Sequence, residues 1–155
     1  MFQILGLRDV ALYRTEYEQL QLLGKGKFGV VYQVEDKNNK TIYAAKHVKA
    51  RKKEDKLKAL EEVKLLQKFH NPHIVKFVDA FEGRAEIIVI MEYLDGGELF
   101  ERIVDDEFIL KENDCCQFIR QICQGIQYLH NSNIVHLDLK VSSVSHSMYL
   151  SERIQ

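Results

Sequence analysis

This sequence has few cysteines, no bias of charge and no long apolar run. Each of these narrows what it can be. Its three cysteines, Cys115, Cys116 and Cys123, are odd in number, fall in one helical pattern and form no Cys-x-x-Cys. A disulfide framework is therefore excluded, and no histidine stands at ligand spacing from them to suggest zinc. They read as reduced, small core or semi-buried residues of a cytosolic protein. Lys and Arg number 22 against 23 Asp and Glu, so no net field points to nucleic acid or to an anionic membrane surface. The basic run from Lys46 to Lys58 has no aromatic platform interleaved with it and reads as the solvated side of a helix and its approach. No apolar run approaches transmembrane length. Met1 to Leu7 has no basic n-region, long apolar run or small-residue cleavage site, so no signal peptide is expected. What is present is the length of one ordinary domain, with 46% hydrophobic residues, enough for a globular core.

The most informative stretch runs from Gly24 to Lys46. Gly24, Gly26 and Gly29 have G-x-G-x-x-G spacing, which lets a backbone approach phosphate oxygens with no Cβ in the way. Alone the pattern is weak, because dinucleotide-binding βαβ units carry it too. Those units need a helix straight after the last glycine. Here Val30-Val31-Tyr32-Gln33-Val34 follows, which is β-branched and aromatic and predicts a strand. A dinucleotide-dependent oxidoreductase is excluded on that ground. The glycines sit in a strand–loop–strand flap, and a further strand, Thr41 to Val48, carries Lys46 in its middle. Alternation puts Ile42, Ala44, Lys46 and Val48 on one face. A lysine flanked by Ala44 and Val48 lies against apolar surface and needs an anion.

From Arg51 to Phe69 the period turns helical, with Ala59, Glu62, Val63 and Leu66 on one face. A carboxylate inside that apolar stripe wants a cation, and Lys46 is the candidate. Glu61 competes for the role but sits beside Lys58 and Lys64 on the outer face. Asn71-Pro72, at the chain's one proline, ends the helical region. Ile74–Phe81 and Glu86–Tyr93 are expected strands around the turn Glu82-Gly83-Arg84. The second is apolar on both faces and so central. Leu94-Asp95-Gly96-Gly97 reads as a linker. A short helix over Glu98–Val104 and a long one over Glu112–Asn131 follow. Cys115, Ile119, Ile122, Ile126 and Leu129 form a core stripe on the long helix.

These motifs resemble the protein kinase family: the glycine-rich loop, the Ala-x-Lys strand, and His136-x-Asp138-Leu139-Lys140 as the catalytic loop. The variant His-Leu-Asp-Leu-Lys, with Gly96-Gly97-Glu98-Leu99-Phe100, is most similar to serine/threonine kinases of the myosin light chain kinase, titin and death-associated group. The resemblance implies an α+β fold. Residues 17–93 would form the small lobe, a five-stranded antiparallel sheet plus one helix. Residues 94–140 would form the hinge and the first helices of the large lobe, and 1–16 a leader without clear period. It also implies ATP and Mg²⁺ as cofactors. Leu23, Gly24, Lys25, Gly26, Lys27, Phe28, Gly29, Val30 and Val31 would cover the nucleotide. Ala44, Lys46 and Glu62 would stand behind it. Met91 takes the gatekeeper position, and the backbone of Glu92 and Leu94 would meet the adenine edge. Glu98 would hold ribose or a basic substrate residue, or else simply favour its helix's N-terminal dipole. Asp138 would accept the proton of a protein hydroxyl, and Lys140 would lie near the transferred phosphate. Leu137 replaces an arginine that usually holds a phosphorylated activation loop, which argues against that mode of control.

After Lys140 the family pattern continues Pro-x-Asn, whereas this chain reads Val141-Ser142-Ser143. Ser143 replaces a magnesium ligand, Ser145 replaces an apolar residue under adenine, and no Asp-Phe-Gly occurs, so no metal ligand is assigned. Residues 141–155 read as a disordered, non-family tail. Lys-Val-Ser is also what AAG-GTA-AGT encodes, the read-through of a splice donor. The expected function is the ATP-binding portion of a cytoplasmic serine/threonine kinase acting on protein substrates, with this chain itself lacking useful turnover. The alternative is a non-catalytic binding or decoy module. Relatives in this group often carry a calmodulin-binding segment after the catalytic domain, and none of these residues corresponds to it. The long helix is expected to expose apolar surface that later helices cover in a complete domain.

Overall fold

The computed structural model describes residues 6–26, 29–95, 109, 111–137 and 139. They fall into two compact units, one of residues up to 69 with 76–93, the other of 70–75 with the residues from 94 onward.

The first unit is built on a sheet. Its elements are β1 (Arg8–Asp9), α1 (Val10–Glu16), β2 (Tyr17–Gly26), β3 (Gly29–Asp36), β4 (Ile42–Lys49), α2 (Lys53–Leu66), β5 (Phe77–Glu82) and β6 (Glu86–Glu92). The strand order is β1-β5-β6-β4-β3-β2. β2 to β6 pair antiparallel, as expected, but β1 adds a sixth strand parallel to β5, with Arg8 opposite Phe81 and Asp9 opposite Glu82. The leader is thus a strand and a helix rather than a run without period. Its apolar positions Val10, Tyr13 and Tyr17 are spaced three and four apart, a single helical stripe too short to stand out. Asp9 caps the helix, its Oδ1 accepting from the Ala11 N–H at 2.7 Å.

Alternation along the strands sorts the core into two layers. Ala45, Val34, Ile88, Ile90 and Phe81 form one buried cluster with Tyr13 and Tyr17 of the leader. Ile87, Val89 and Met91 of the central strand β6 lie on the other face and are buried as well. α2, whose Ala59 and Val63 are buried, packs against β6. α2 is shorter than the expected 51–69. Lys52 is still extended at its N-cap, and the last residues tighten into i→i−3 bonds from Lys68 to Leu65 and from Phe69 to Leu66. β5 begins at Phe77 rather than Ile74. The Asn71–Ile74 turn, closed by the His73 N–H on Asn71 Oδ1 at 2.8 Å and the Ile74 N–H on the Asn71 carbonyl at 3.2 Å, uses the residues in between.

In the second unit α3 spans Glu112–Asn131, the bounds read from the sequence. The Lys111 N–H donates to Asp114 at 3.2 Å at its start, and Ser132 Oγ donates to the Tyr128 carbonyl at 3.0 Å at its end. The expected core stripe needs correction. Leu129 is fully buried, but Ile119 is 61% exposed, so the stripe is core only toward the helix's C-terminal turns. Cys115 is half-buried, while Cys116 and Cys123 are exposed rather than core. Val135 and Leu137, beyond the helix, are exposed too. Among the described residues no helix is long and apolar enough to cross a membrane. The helix expected over Glu98–Val104 and the tail 141–155 lie outside the described residues.

Two outcomes follow from the sheet unit. A Cβ at Gly29 would stand 2.2 Å from the His47 carbonyl oxygen. Gly29→Ala is therefore expected to cost about 2 kcal/mol of stability, read as a lowered urea midpoint. Burial pushes the Tyr13 phenol from 10.0 up to about 12, and burial raises Tyr17 as well. A folded-state value above the unfolded one favours folding fully below the unfolded value, and this contribution is lost as pH rises through the folded one. Stability should fall between pH 10 and 12, and Tyr13→Phe should flatten that fall in thermal melts followed by circular dichroism.

Candidate functional site

The register of three strands assembles the site in the sheet unit. Val31 pairs with Lys46 and Lys46 with Val89, while Gln33 pairs with Ala44 and Ala44 with Met91. Directly paired residues share a face, so Val31, Ala44, Lys46, Val89 and Met91 line one side. Val89 had no assigned role, although its alternation with Ile87 and Met91 was visible in the sequence. Lys46 Nζ donates to Glu62 Oε1 at 2.8 Å, with side chains 18% and 32% exposed. Glu61 is exposed on the outer side of α2. With one of its three donors on Glu62, an ammonium can still give two to an anion.

The glycines divide into two kinds. Gly26 pairs with Gly29 at the end of the β2–β3 ladder, and Gly24 pairs with Val31. Gly29 is dictated by the close His47 carbonyl. A Cβ at Gly24 or Gly26 would meet nothing within 4 Å, so the chain's own packing does not demand glycine there. Leu23 is the extra residue of a register shift between Leu22 and Gly24 and is 40% exposed. Such bulges re-aim side chains beside sites.

Some of the expected residues part company. Val30 pairs with His47, and Lys25 with Val30, so these two belong to the opposite side of the sheet from Lys46. The Glu92 N–H donates to the Lys76 carbonyl at 3.0 Å, and Glu92 Oε1 accepts from the Lys76 N–H at 2.6 Å. That N–H is therefore not left unpaired for an adenine edge. Leu94 belongs to the second unit. Lys27, Phe28, Glu98, Asp138 and Lys140 lie outside the described residues. His136, two residues before Asp138, is buried, whereas Leu137 is 71% exposed. Among the described residues no three His, Cys, Asp or Glu side chains converge to hold a metal.

The arrangement is a lysine–carboxylate pair on one face with an apolar strip, and the β2–β3 ladder that carries Gly24 and Gly26 runs beside it. The model of the protein kinase domain matches residues 17–145. The chain belongs to the protein kinase family. Among curated proteins, this kinase chain is 41% identical over 128 residues to the smooth muscle myosin light chain kinase of Gallus gallus, covering 83% of this chain and 7% of that protein. It is 39% identical over 124 residues to myosin light chain kinase family member 4 of Homo sapiens, covering 80% and 32%. Among solved structures, a twitchin kinase fragment of C. elegans superposes with TM-score 0.80 at 33% identity, over 91% of this chain and 32% of that one. The autoinhibited serine kinase domain of titin gives 0.80 at 29% identity, over 92% and 44%. The kinase chain thus spans less than half the length of each.

The pair distinguishes the two glutamates. Glu62→Gln should change stability by less than about 1 kcal/mol, since the pair is partly exposed, yet speed acylation of Lys46 by an amine-reactive ester severalfold in peptide mass spectrometry. Glu61→Gln should leave both unchanged.

Proposed function

We propose that this chain is the ATP-binding portion of a cytoplasmic serine/threonine protein kinase. The observation that carries the reading is the Lys46–Glu62 contact of 2.8 Å on the same sheet face as Val31, Ala44 and Met91. Apolar groups of that size suit an adenine ring. Gly24 and Gly26 leave space for phosphate oxygens, and Lys46, oriented by Glu62, supplies their charge partner. In this reading Asp138 accepts the proton of a protein hydroxyl as the terminal phosphoryl group passes to it, and Lys140 stands near that group. The substrate is a protein. Calmodulin-type regulation belongs to the full-length relative, through a segment to which none of these 155 residues corresponds.

The finer reading concerns a polypeptide of these 155 residues. Phosphoryl transfer depends on Mg²⁺ neutralising phosphate charge. Ser143 stands where the family has its asparagine ligand. One transition-state interaction is worth about 3–4 kcal/mol, or roughly 10²–10³ in rate. On this reading, serine in place of that ligand lowers turnover by such a factor. The second reading, a non-catalytic binding module, draws on Ile119, exposed on a helix whose apolar stripe was expected to be core, as an uncovered apolar face favours association.

A transfer assay with [γ-³²P]ATP and a generic basic protein substrate should show no incorporation above that of Lys46→Met. Calorimetry should show ATP binding weaker than micromolar that Lys46→Met abolishes. Submicromolar affinity or measurable transfer would overturn the finer reading. Binding unaffected by Lys46→Met would overturn the site itself.

A further inference from the structure

The family match begins at Tyr17, yet residues 8–16 are built into the core of the sheet unit. Tyr13 is 6% exposed. Its ring stacks on Tyr17 at 5.7 Å, tilts against Phe81 at 5.7 Å and stands edge-on to His47 at 5.5 Å. Tyr17 in turn meets Tyr43 at 6.2 Å and Phe81 at 5.9 Å. Such ring pairs contribute beyond the area they bury.

The segment is tied down at both ends. The Arg8 guanidinium grips the Glu16 carboxylate, donates to Asp79 Oδ2 at 2.7 Å and lies 5.0 Å over the Phe81 ring. At the other end the Lys37 N–H donates to the Glu16 carbonyl at 2.8 Å, and Lys37 Nζ to the Arg14 carbonyl at 3.0 Å. Residues 8–17 therefore reach β5 through Arg8, β4 through Tyr13 and Tyr17, and the turn after β3 through Glu16 and Arg14.

His47 is where this segment meets the strand of Lys46. Its Nε2 lies 3.2 Å from the Tyr13 hydroxyl, its Nδ1 3.3 Å from Glu86 Oε2, and its ring edge-on to Tyr32 at 5.3 Å. Neighbours in a strand point to opposite faces. Fixing the His47 side chain on one face thus fixes the backbone from which Lys46 leaves on the other.

We propose that residues 8–17 brace the strand carrying Lys46, and that Tyr13 is a positioning residue for the Lys46–Glu62 pair. The Tyr13 and Tyr17 rings lie on the face away from Glu62, and the brace acts through His47 and Ala45. Without it, Phe81, Ile88 and Ile90, each at most 1% exposed, would lose cover on the face that His47 and Ala45 share. The consequence for nucleotide binding rests on the proposed role of Lys46 with phosphate.

The test compares Tyr13→Ala with the unchanged 155-residue chain, at a temperature where circular dichroism shows both folded. Lys46 is acylated with an amine-reactive ester and followed by peptide mass spectrometry, with exposed Lys58 as internal standard. ATP affinity is measured alongside. The expected result is severalfold faster acylation of Lys46 relative to Lys58 and severalfold weaker ATP binding. Tyr13→Phe, which keeps the ring contacts, should restore most of both. Unchanged Lys46 reactivity in folded Tyr13→Ala overturns the proposal, whereas faster acylation with unchanged ATP affinity supports the brace and overturns the phosphate role of Lys46. If the unchanged chain binds no ATP, the nucleotide reading fails, and the reactivity of Lys46 alone decides the brace. Should Tyr13→Ala not fold, Arg8→Ala, which cuts the tie to Glu16 and Asp79, decides in its place by the same shift in smaller measure.

Discussion

Everything in the sheet unit turns on β4 being used on both faces. A strand cannot shift one side chain without moving its neighbours, because successive residues share a rigid backbone and alternate in direction. Ala45, fully buried between Tyr32 on β3 and Ile90 on β6, leaves no room for a sideways adjustment. Lys46 is thereby held to the opposite face and toward α2. The small side chain at 45 suits a layer already filled by the Tyr13, Tyr17 and Phe81 rings, where a larger residue would have to displace an aromatic.

The relative energies say which interaction sets the geometry. The Lys46–Glu62 pair is partly exposed on both sides, and such pairs contribute about 1 kcal/mol or less. Burying one isoleucine side chain contributes about 1.5–3 kcal/mol, and β6 alone buries Ile87, Ile88 and Ile90. The pair therefore does not hold α2 on the sheet. Packing of Ala59 and Val63 does, and the pair forms because packing has already brought its members together. An interaction of low intrinsic strength at a fixed separation is suited to a site, since it can rearrange toward an anion at little cost to the fold.

How much of this was legible follows from how local each signal is. The β6 run and the β3 strand announce themselves by β-branched composition, and α3 by a stripe long enough to show its period over twenty residues. Lys46 and Glu62 were legible as partners because each is a charge inside an apolar pattern. The leader was not, since Val10, Tyr13 and Tyr17 cover only about two helical turns, and β1 has two residues. A parallel edge strand that short is specified by tertiary contacts, here Arg8 with Asp79 and Phe81. The sidedness of Lys25 was also hidden, because two register shifts in β2 change the count of residues on which alternation arguments depend, whereas that of Val30 followed from its place next to Val31. The exposure of Ile119 shows the same limit in a helix: periodicity says which residues share a face, not what covers that face.

The glycines show how fold and function can be separated within one motif. Three residues with the same spacing rule carry different constraints. Gly29 is required by a backbone oxygen 2.2 Å from where a Cβ would stand, so any sequence folding this hairpin onto β4 in this register needs it. Gly24 and Gly26 face open space. Glycine in a strand interior costs about 0.5–1 kcal/mol relative to alanine through backbone entropy. Two such residues where the chain gains no room from them are a stability cost without a structural return. That cost is explained if something other than the chain approaches there closely, which is what a phosphate-binding flap requires.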